Sequence, residues 1–285
     1  MFNKIFGKKS DSIIEEQIKD QGFEISTCPE TCDACITNFP KSLKFEEDEP
    51  LYNSTKPFGL HLLISTGKTD WPHDATGTPN TLSNAIADWA SKKKSKLGNI
   101  KVTVSSLGSD ELLIDDEYIN GKMGDVLIMP YFLWIKKVKI EDVAEIFDKL
   151  NQYLENHTPV DDIEIPNCSI DNNSSYIFLC SHKTRDKKCG ITAPIMKKEM
   201  DLYLRELELY RDFGDNRPNG VQVAFLNHIG GHKFAANVII YNKESMKNIW
   251  LALCRPNNVK PIIDECVLQN RVFPNKVRIV QNFNW

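Results

Sequence analysis

No apolar run in this 285-residue chain is long enough to cross a bilayer, and neither sign of charge dominates it. A spanning helix needs about 20 consecutive apolar residues, so no membrane span is expected. The net charge of −4 and an isoelectric point near 5.9 give no electrostatic ground for a nucleic-acid or acidic-membrane partner. The opening MFNKIFGKKS lacks the apolar region of a secretory signal. The acidic Asp11, Glu15 and Glu16 that follow are unlike an arginine-rich mitochondrial presequence. A cytoplasmic location is therefore expected. In that reducing setting the eight cysteines read as thiols or metal ligands rather than as a disulfide framework.

A hydrophobic content of 41% is enough for a real core, in one large domain or two modest ones. Residues 1–57 are polar, broken by KFEEDEP, and are expected to pack incompletely. Beyond them the pattern alternates. GLHLLIS (59–65), IKVTVSS (100–106) and DVLIMPYFLWI (125–135) read as strands, rich in β-branched and aromatic residues. TLSNAIADWASKK (81–93) and IEDVAEIFDKLNQYLE (140–155) carry helical spacing, with Thr81 or Ser83 as N-cap of the first. NHTPVDDIEIPNCSIDNNSS (156–175) then reads as a linker.

The second half restarts with strand SYIFLCS (175–181) and helix APIMKKEMDLYLRELELY (193–210). Strands VQVAFLN (221–227), FAANVIIY (234–241) and NIWLALC (248–254) follow, then helix NVKPIIDECVLQ (258–269) with Pro261 in its first turn. The order β–α–β–β–β–α suits a small α/β sandwich of thioredoxin type. LLISTGKTDWPHDATGTP (62–79) faintly echoes IFLCSHKTRDKKCGITAP (177–194), setting Ser65 opposite Cys180 and Asp74 opposite Cys189. The expected architecture is α/β with two thioredoxin-like lobes: 58–157, degenerate and without sulfur ligands, and 172–285.

Two stretches carry chemistry. CSHKTRDKKCG places Cys180 at a strand end and Cys189 just before a helix. HIGGH sets His228 and His232 four apart, but Gly230 and Gly231 each disfavour a helix by about 1 kcal/mol, so a loop is expected. In a thioredoxin-like topology both stretches follow neighbouring strands, and the four side chains converge at one end of the sheet. Two thiolates and two imidazoles suit tetrahedral zinc and equally a mixed-ligand iron–sulfur cluster. An eight-residue spacer is loose for a zinc knuckle, whereas a 2Fe–2S rhomb is wider than one ion. Glycines also let backbone approach bridging sulfides closely. A lone strand-end cysteine is most often a core residue, and a lone loop histidine a surface group. The joint pattern is what points to metal.

CSHKTRDKKCGITAP, YRDFGDNRPNGVQVAFLNHIGGHKFAANV and LIMPYFLW resemble the fungal actin-patches-distal family of sucrase/ferredoxin-like proteins, over most of the chain from about residue 50. The resemblance implies a 2Fe–2S cluster in a C-terminal thioredoxin-like ferredoxin domain, held by Cys180, Cys189, His228 and His232. It implies a soluble one-electron carrier rather than a catalyst with its own substrate, serving unidentified donor and acceptor proteins. Two imidazoles in place of two thiolates remove negative charge, so the potential should lie nearer Rieske centres (about −150 to +300 mV) than plant-type ferredoxins (about −400 mV). A ring proton on a histidine ligand should make that potential proton-coupled. The alternative is a metal-stabilised interaction or redox-sensor protein with a structural cluster or zinc. A thiol oxidoreductase is disfavoured, since Cys180 and Cys189 are not a Cys-x-x-Cys pair.

The neighbours are assigned more modestly. His182 is expected to hydrogen-bond beside the site rather than ligate, and Arg185, Asp186, Lys187 and Lys188 form a solvated turn or a basic docking rim. Cys28, Cys32 and Cys35 have no evident fourth ligand; Cys254 and Cys266 read as core, and Cys168 falls in the linker. The ending QNFNW resembles C-terminal aromatic signals that engage the cytosolic iron–sulfur assembly machinery, which would give Trp285 a role in cluster delivery.

Overall fold

The strand LHLLIS is buried along its whole length, which an element covered on both faces requires. In the computed structural model, which describes residues 12–32, 37–45, 50–230 and 234–283, that strand lies inside an eleven-stranded mixed sheet. The described elements are helix α1 (residues 12–20), β1 (Glu24–Ile25), β2 (Leu60–Ser65), α2 (Leu82–Lys92), β3 (Ile100–Ser105), short turns α3 (Glu111–Ile114) and α4 (Asp116–Ile119), β4 (Met123–Met129) and β5 (Leu133–Lys139). Then come α5 (Val143–Glu155), β6 (Cys168–Ile170), β7 (Ser175–Cys180), α6 (Lys187–Glu206), β8 (Tyr210–Arg211), β9 (Val221–Leu226), β10 (Val238–Asn242) and β11 (Lys247–Leu251). The chain closes with α7 (Val259–Pro261), which runs on as a π turn over Ile262–Val267, then β12 (Arg271–Val272) and β13 (Val277–Asn282). No helix among the described residues is long and apolar enough to cross a membrane.

The sheet order is β13–β11–β10–β7–β9–β3–β2–β4–β5–β6, with β8 beside β9. Each half repeats one arrangement: β2 is parallel to β3 and antiparallel to β4, as β7 is parallel to β9 and antiparallel to β10. The halves meet through a single antiparallel pair, Ser105 with Leu226, and these residues hold equivalent places, opposite Ser65 and Cys180 respectively. An approximate two-fold axis thus passes between β3 and β9. This mixed α/β architecture is that of a thioredoxin-like fold.

One apolar set fills the space between sheet and helices, and a second includes Leu63, Leu127, Phe178, Ile239, Tyr241 and Trp250 from both halves. There His61 of β2 is fully buried, with Nδ1 2.8 Å from the Tyr241 hydroxyl and Nε2 2.8 Å from Thr103 Oγ1. Burial pushes its pKa well below the usual histidine value, and Lys101 pushes it the same way. Unfolded His61 takes up a proton as pH falls through about 6.5, while folded His61 resists it. Folding stability is therefore expected to decline below that pH by at most about 1.4 kcal/mol per pH unit. Denaturant titrations between pH 7 and 5 check this, and a slope unchanged in His61→Gln would count against it.

Several expectations need correction. The 125–135 run is not one strand but the core of a hairpin: Pro130 has no N–H for a ladder, and β4 and β5 turn there, with Phe132 at φ 53°. Residues 156–175 are more than a linker, because β6 pairs with β5 and Ile163 and Ile165 are buried. The segment before residue 58 packs incompletely, as expected, with most of its described residues exposed or half-buried, but it is anchored at a few points. Ile18 and Phe23 are in the core and β1 pairs in parallel with β12, so a few well-spaced apolar residues suffice there. Within 234–241 only the residues from Val238 onward form a strand, and the last helix is mostly a π turn. Thr81 is the N-cap of α2, accepting from the Asn84 N–H.

Candidate metal centre

Parallel pairing of β7 with β9 brings Cys180 opposite Leu226, so the loops that leave these two strands emerge side by side. The first loop, 181–186, ends at Asp186, whose carboxylate accepts the Lys188 N–H at 2.9 Å and caps α6. This helix starts at Lys187, six residues earlier than the sequence pattern implied, so Cys189 lies inside its first turn rather than before it. Pro194 obscured the start, since proline commonly marks a first turn and here sits in the eighth position. Free N–H groups at a helix start favour a thiolate at that position.

Cys180, Cys189 and His228 offer ligand atoms that all lie within 4.8 Å of one another. His228 turns Nδ1 toward both sulfurs, 3.7 Å from Cys180 and 4.0 Å from Cys189. Both cysteines are free thiols and both are buried, at 1% and 0% exposure, while His228 is half-buried. The two thiols behave as a pair. The hydrogen bond from Cys189 makes Cys180 the more acidic, against its burial and with help from His228; the same bond, with burial, keeps the Cys189 proton in place. Two sulfurs and one imidazole nitrogen at this spacing fit a metal centre with sulfur and nitrogen ligands. His232 falls outside the described residues, as do Cys35 and Trp285.

The surroundings fix this geometry. Gly190 follows Cys189, and a Cβ there would stand 2.3 Å from Lys183 Cβ, so the 181–186 loop lies directly on the start of α6. His182, fully buried, accepts the backbone N–H of His228 on Nδ1 at 3.2 Å, which leaves Nε2–H to donate to the Trp71 carbonyl at 2.9 Å. It supports the site from beside it, as expected. Of the supposed basic rim, Arg185 donates to the His73 ring at 2.7 Å beside a Thr184–Asp70 bond, while Lys187 is exposed. Cys254 and Cys266 are buried in the core, Cys168 begins β6, and Cys28 is exposed with Cys32 partly so. Sequence reasoning missed Arg278, which donates to the Gly230 carbonyl of the loop, and Ser54 and Asn237, which accept from Arg278 and hold it there. An arginine inside the apolar run VRIV was the available signal.

The fold and the site define a mixed α/β protein of thioredoxin type with a Cys/His group at the ends of two neighbouring strands. The sucrase/ferredoxin-like family profile matches residues 51–279, and the chain belongs to that family. It is 39% identical to actin patches distal protein 1 of Saccharomyces cerevisiae over 254 residues, covering 85% of this chain and 80% of that protein. It is 22% identical to altered inheritance of mitochondria protein 32 of Meyerozyma guilliermondii, over 89% of this chain and 94% of that one. No solved structure matches the chain.

Proposed function

We propose that this protein is a cytoplasmic one-electron carrier whose 2Fe–2S cluster is held by Cys180, Cys189, His228 and His232. The observation that carries the reading is the convergence of two buried thiols, from the end of β7 and the first turn of α6, with the His228 imidazole of the loop after β9, all within 4.8 Å. Bound there, the cluster would supply reversible one-electron chemistry. The chain's own residues do the rest. The Cys180–Cys189 pair already shares its protons so that one sulfur ionises readily, and the start of α6 favours the negative charge. The neutral His182 orients the His228 backbone. His228 is the partly exposed member of the group and gives the centre its side toward donor and acceptor proteins. With Nδ1 toward the sulfurs, its other ring nitrogen carries the proton that would couple to reduction.

His232 enters through the His-x3-His spacing, and Trp285 as a handle for the cytosolic iron–sulfur assembly machinery through its terminal aromatic character. A second reading, a metal-stabilised interaction or redox-sensor protein, draws on the depth of the two sulfurs. Iron and acid-labile sulfide analysis with EPR on anaerobically purified protein separates the two. We expect about two irons and two sulfides per chain and an EPR signal that appears on reduction and vanishes on reoxidation. Stoichiometric zinc without sulfide would reject the carrier.

A further inference from the structure

Arg278 lies on the edge strand β13, yet is only 1% exposed. Its Nη1 donates to the Gly230 carbonyl at 3.1 Å and to Asn237 Oδ1 at 2.9 Å; Nε donates to Ser54 Oγ at 2.9 Å and Nη2 to the Ser54 carbonyl at 3.1 Å. The guanidinium carbon stands 5.1 Å from the ring centroids of both Phe234 and Trp250. Every one of these acceptors is neutral, and among the described residues no carboxylate pairs with Arg278. Lys101 lies 5.1 Å from the Trp250 centroid and 5.8 Å from that of Phe58. The same indole thus carries two cations.

Burying a charge costs several kcal/mol unless an opposite charge is near. The negative charge that acts on Arg278 here comes from Cys180 of the thiol pair. Asn237 joins the two: its side-chain oxygen accepts from Arg278, and its carbonyl accepts the Cys180 N–H at 3.5 Å. The charges also feel one another, since burial lowers Arg278 to about 10 while Cys180 opposes that fall, and Lys101 is lowered to about 8 by burial and then by Arg278. The Gly230 carbonyl that Arg278 holds belongs to the second residue after His228, at φ 92°, a left-handed conformation suited to glycine.

We infer that Arg278, with Lys101 beside it on Trp250, is the interior counter-charge of the metal centre: it anchors the histidine loop at Gly230 and stabilises the more negative state of the thiolate site. This rests on the metal-site reading above and adds to it a residue that does not ligate. Positive charge beside the centre favours its reduced form, so removing that charge lowers the potential.

The test compares Arg278→Gln, Arg278→Lys and Lys101→Met in the full chain prepared without air. Arg278→Gln is expected to shift the oxidised-to-reduced ratio about tenfold, about 59 mV downward for one electron. Arg278→Lys, which keeps the charge but not the forked grip, should hold the potential within threefold of the parent while releasing iron faster to a chelator. Lys101→Met, which touches no part of the loop, should lower the potential by a smaller factor without faster release. It decides the charge role alone if Arg278→Gln does not fold. Unchanged potentials in Arg278→Gln and Lys101→Met, or Arg278→Lys falling as far as Arg278→Gln, would overturn the inference. If the protein proves to hold zinc, titration with Co²⁺ still reads the charge. About tenfold weaker binding in Arg278→Gln supports the counter-charge although the carrier fails, and equal binding overturns it.

Discussion

Cys180→Ala and Cys189→Ala proteins are each expected to emerge with no bound iron, no acid-labile sulfide and no visible absorption, while Cys168→Ala keeps all three. The two sulfurs are not interchangeable with the other thiols, because only they share a 4.8 Å group with an imidazole among the described residues. Losing either one costs more than a ligand. In Cys189→Ala the donor that does most to make Cys180 acidic is gone, so burial opposes its ionisation and only the weaker help of His228, the His182 backbone and Arg278 remains. In Cys180→Ala the remaining thiol is a fully buried member of an apolar cluster, where burial disfavours a lone thiolate. Metal binding needs deprotonated sulfur, so both routes end in an empty site. Each substitution puts one small apolar side chain in place of another, so far-UV circular dichroism should be unchanged. Iron content equal to the parent's in either variant would remove these sulfurs from the centre.

What could be read from the sequence follows from how each feature is encoded. Cys180 and Cys189 were legible because chemistry-bearing residues flank a strand end whose apolar run is unbroken, and β7 ends at Cys180, one residue short of the expected SYIFLCS. The echo between Ser65 and Cys180 proved structural, since both end the strand paired in parallel with the one nearest the two-fold axis. The matching of Asp74 with Cys189 did not, because Cys189 lies in the first turn of α6 and Asp74 in the loop ahead of the Thr81 cap of α2. Elsewhere the signal was tertiary. The β4–β5 hairpin hides in one apolar run, and only Pro130 betrays the turn. The 156–175 stretch is polar by composition, yet Asp171 accepts from Trp134, Tyr176 and its own loop, so β6 is held by bonds that no periodicity predicts. Arg278 stood out within VRIV, but its role was hidden for the same reason: its partners Ser54, Gly230 and Asn237 lie 41 to 224 positions away in sequence. His182 stands between these cases, since its place beside Cys180 was visible but its bond to the His228 backbone was not.

Gly190→Ala should destabilise the protein by about 1–3 kcal/mol, the usual cost of overpacking a close contact, and should loosen the metal centre with it. The sign is the informative part. In an exposed helix the same change gains about 1 kcal/mol, because glycine is the poorer helix former. Gly190 is the fourth residue of α6 and would show that gain if its surface were open. It is not: an added Cβ would stand 2.3 Å from Lys183 Cβ, 2.7 Å from its Cγ and 2.8 Å from its Cα. The lysine tail can swing away, but a Cα moves only with its loop. That loop carries Ser181, which donates to the Thr69 carbonyl, and His182, which holds the His228 backbone, so lifting it strains the seam between the halves and shifts a candidate ligand. The expected result is a lower denaturation midpoint in the metal-free protein and faster iron release to a chelator in the loaded one. A stabilised metal-free variant would mean that the 181–186 loop does not rest on α6. Normal iron retention in a destabilised variant would mean instead that the loop supports the fold without positioning His228.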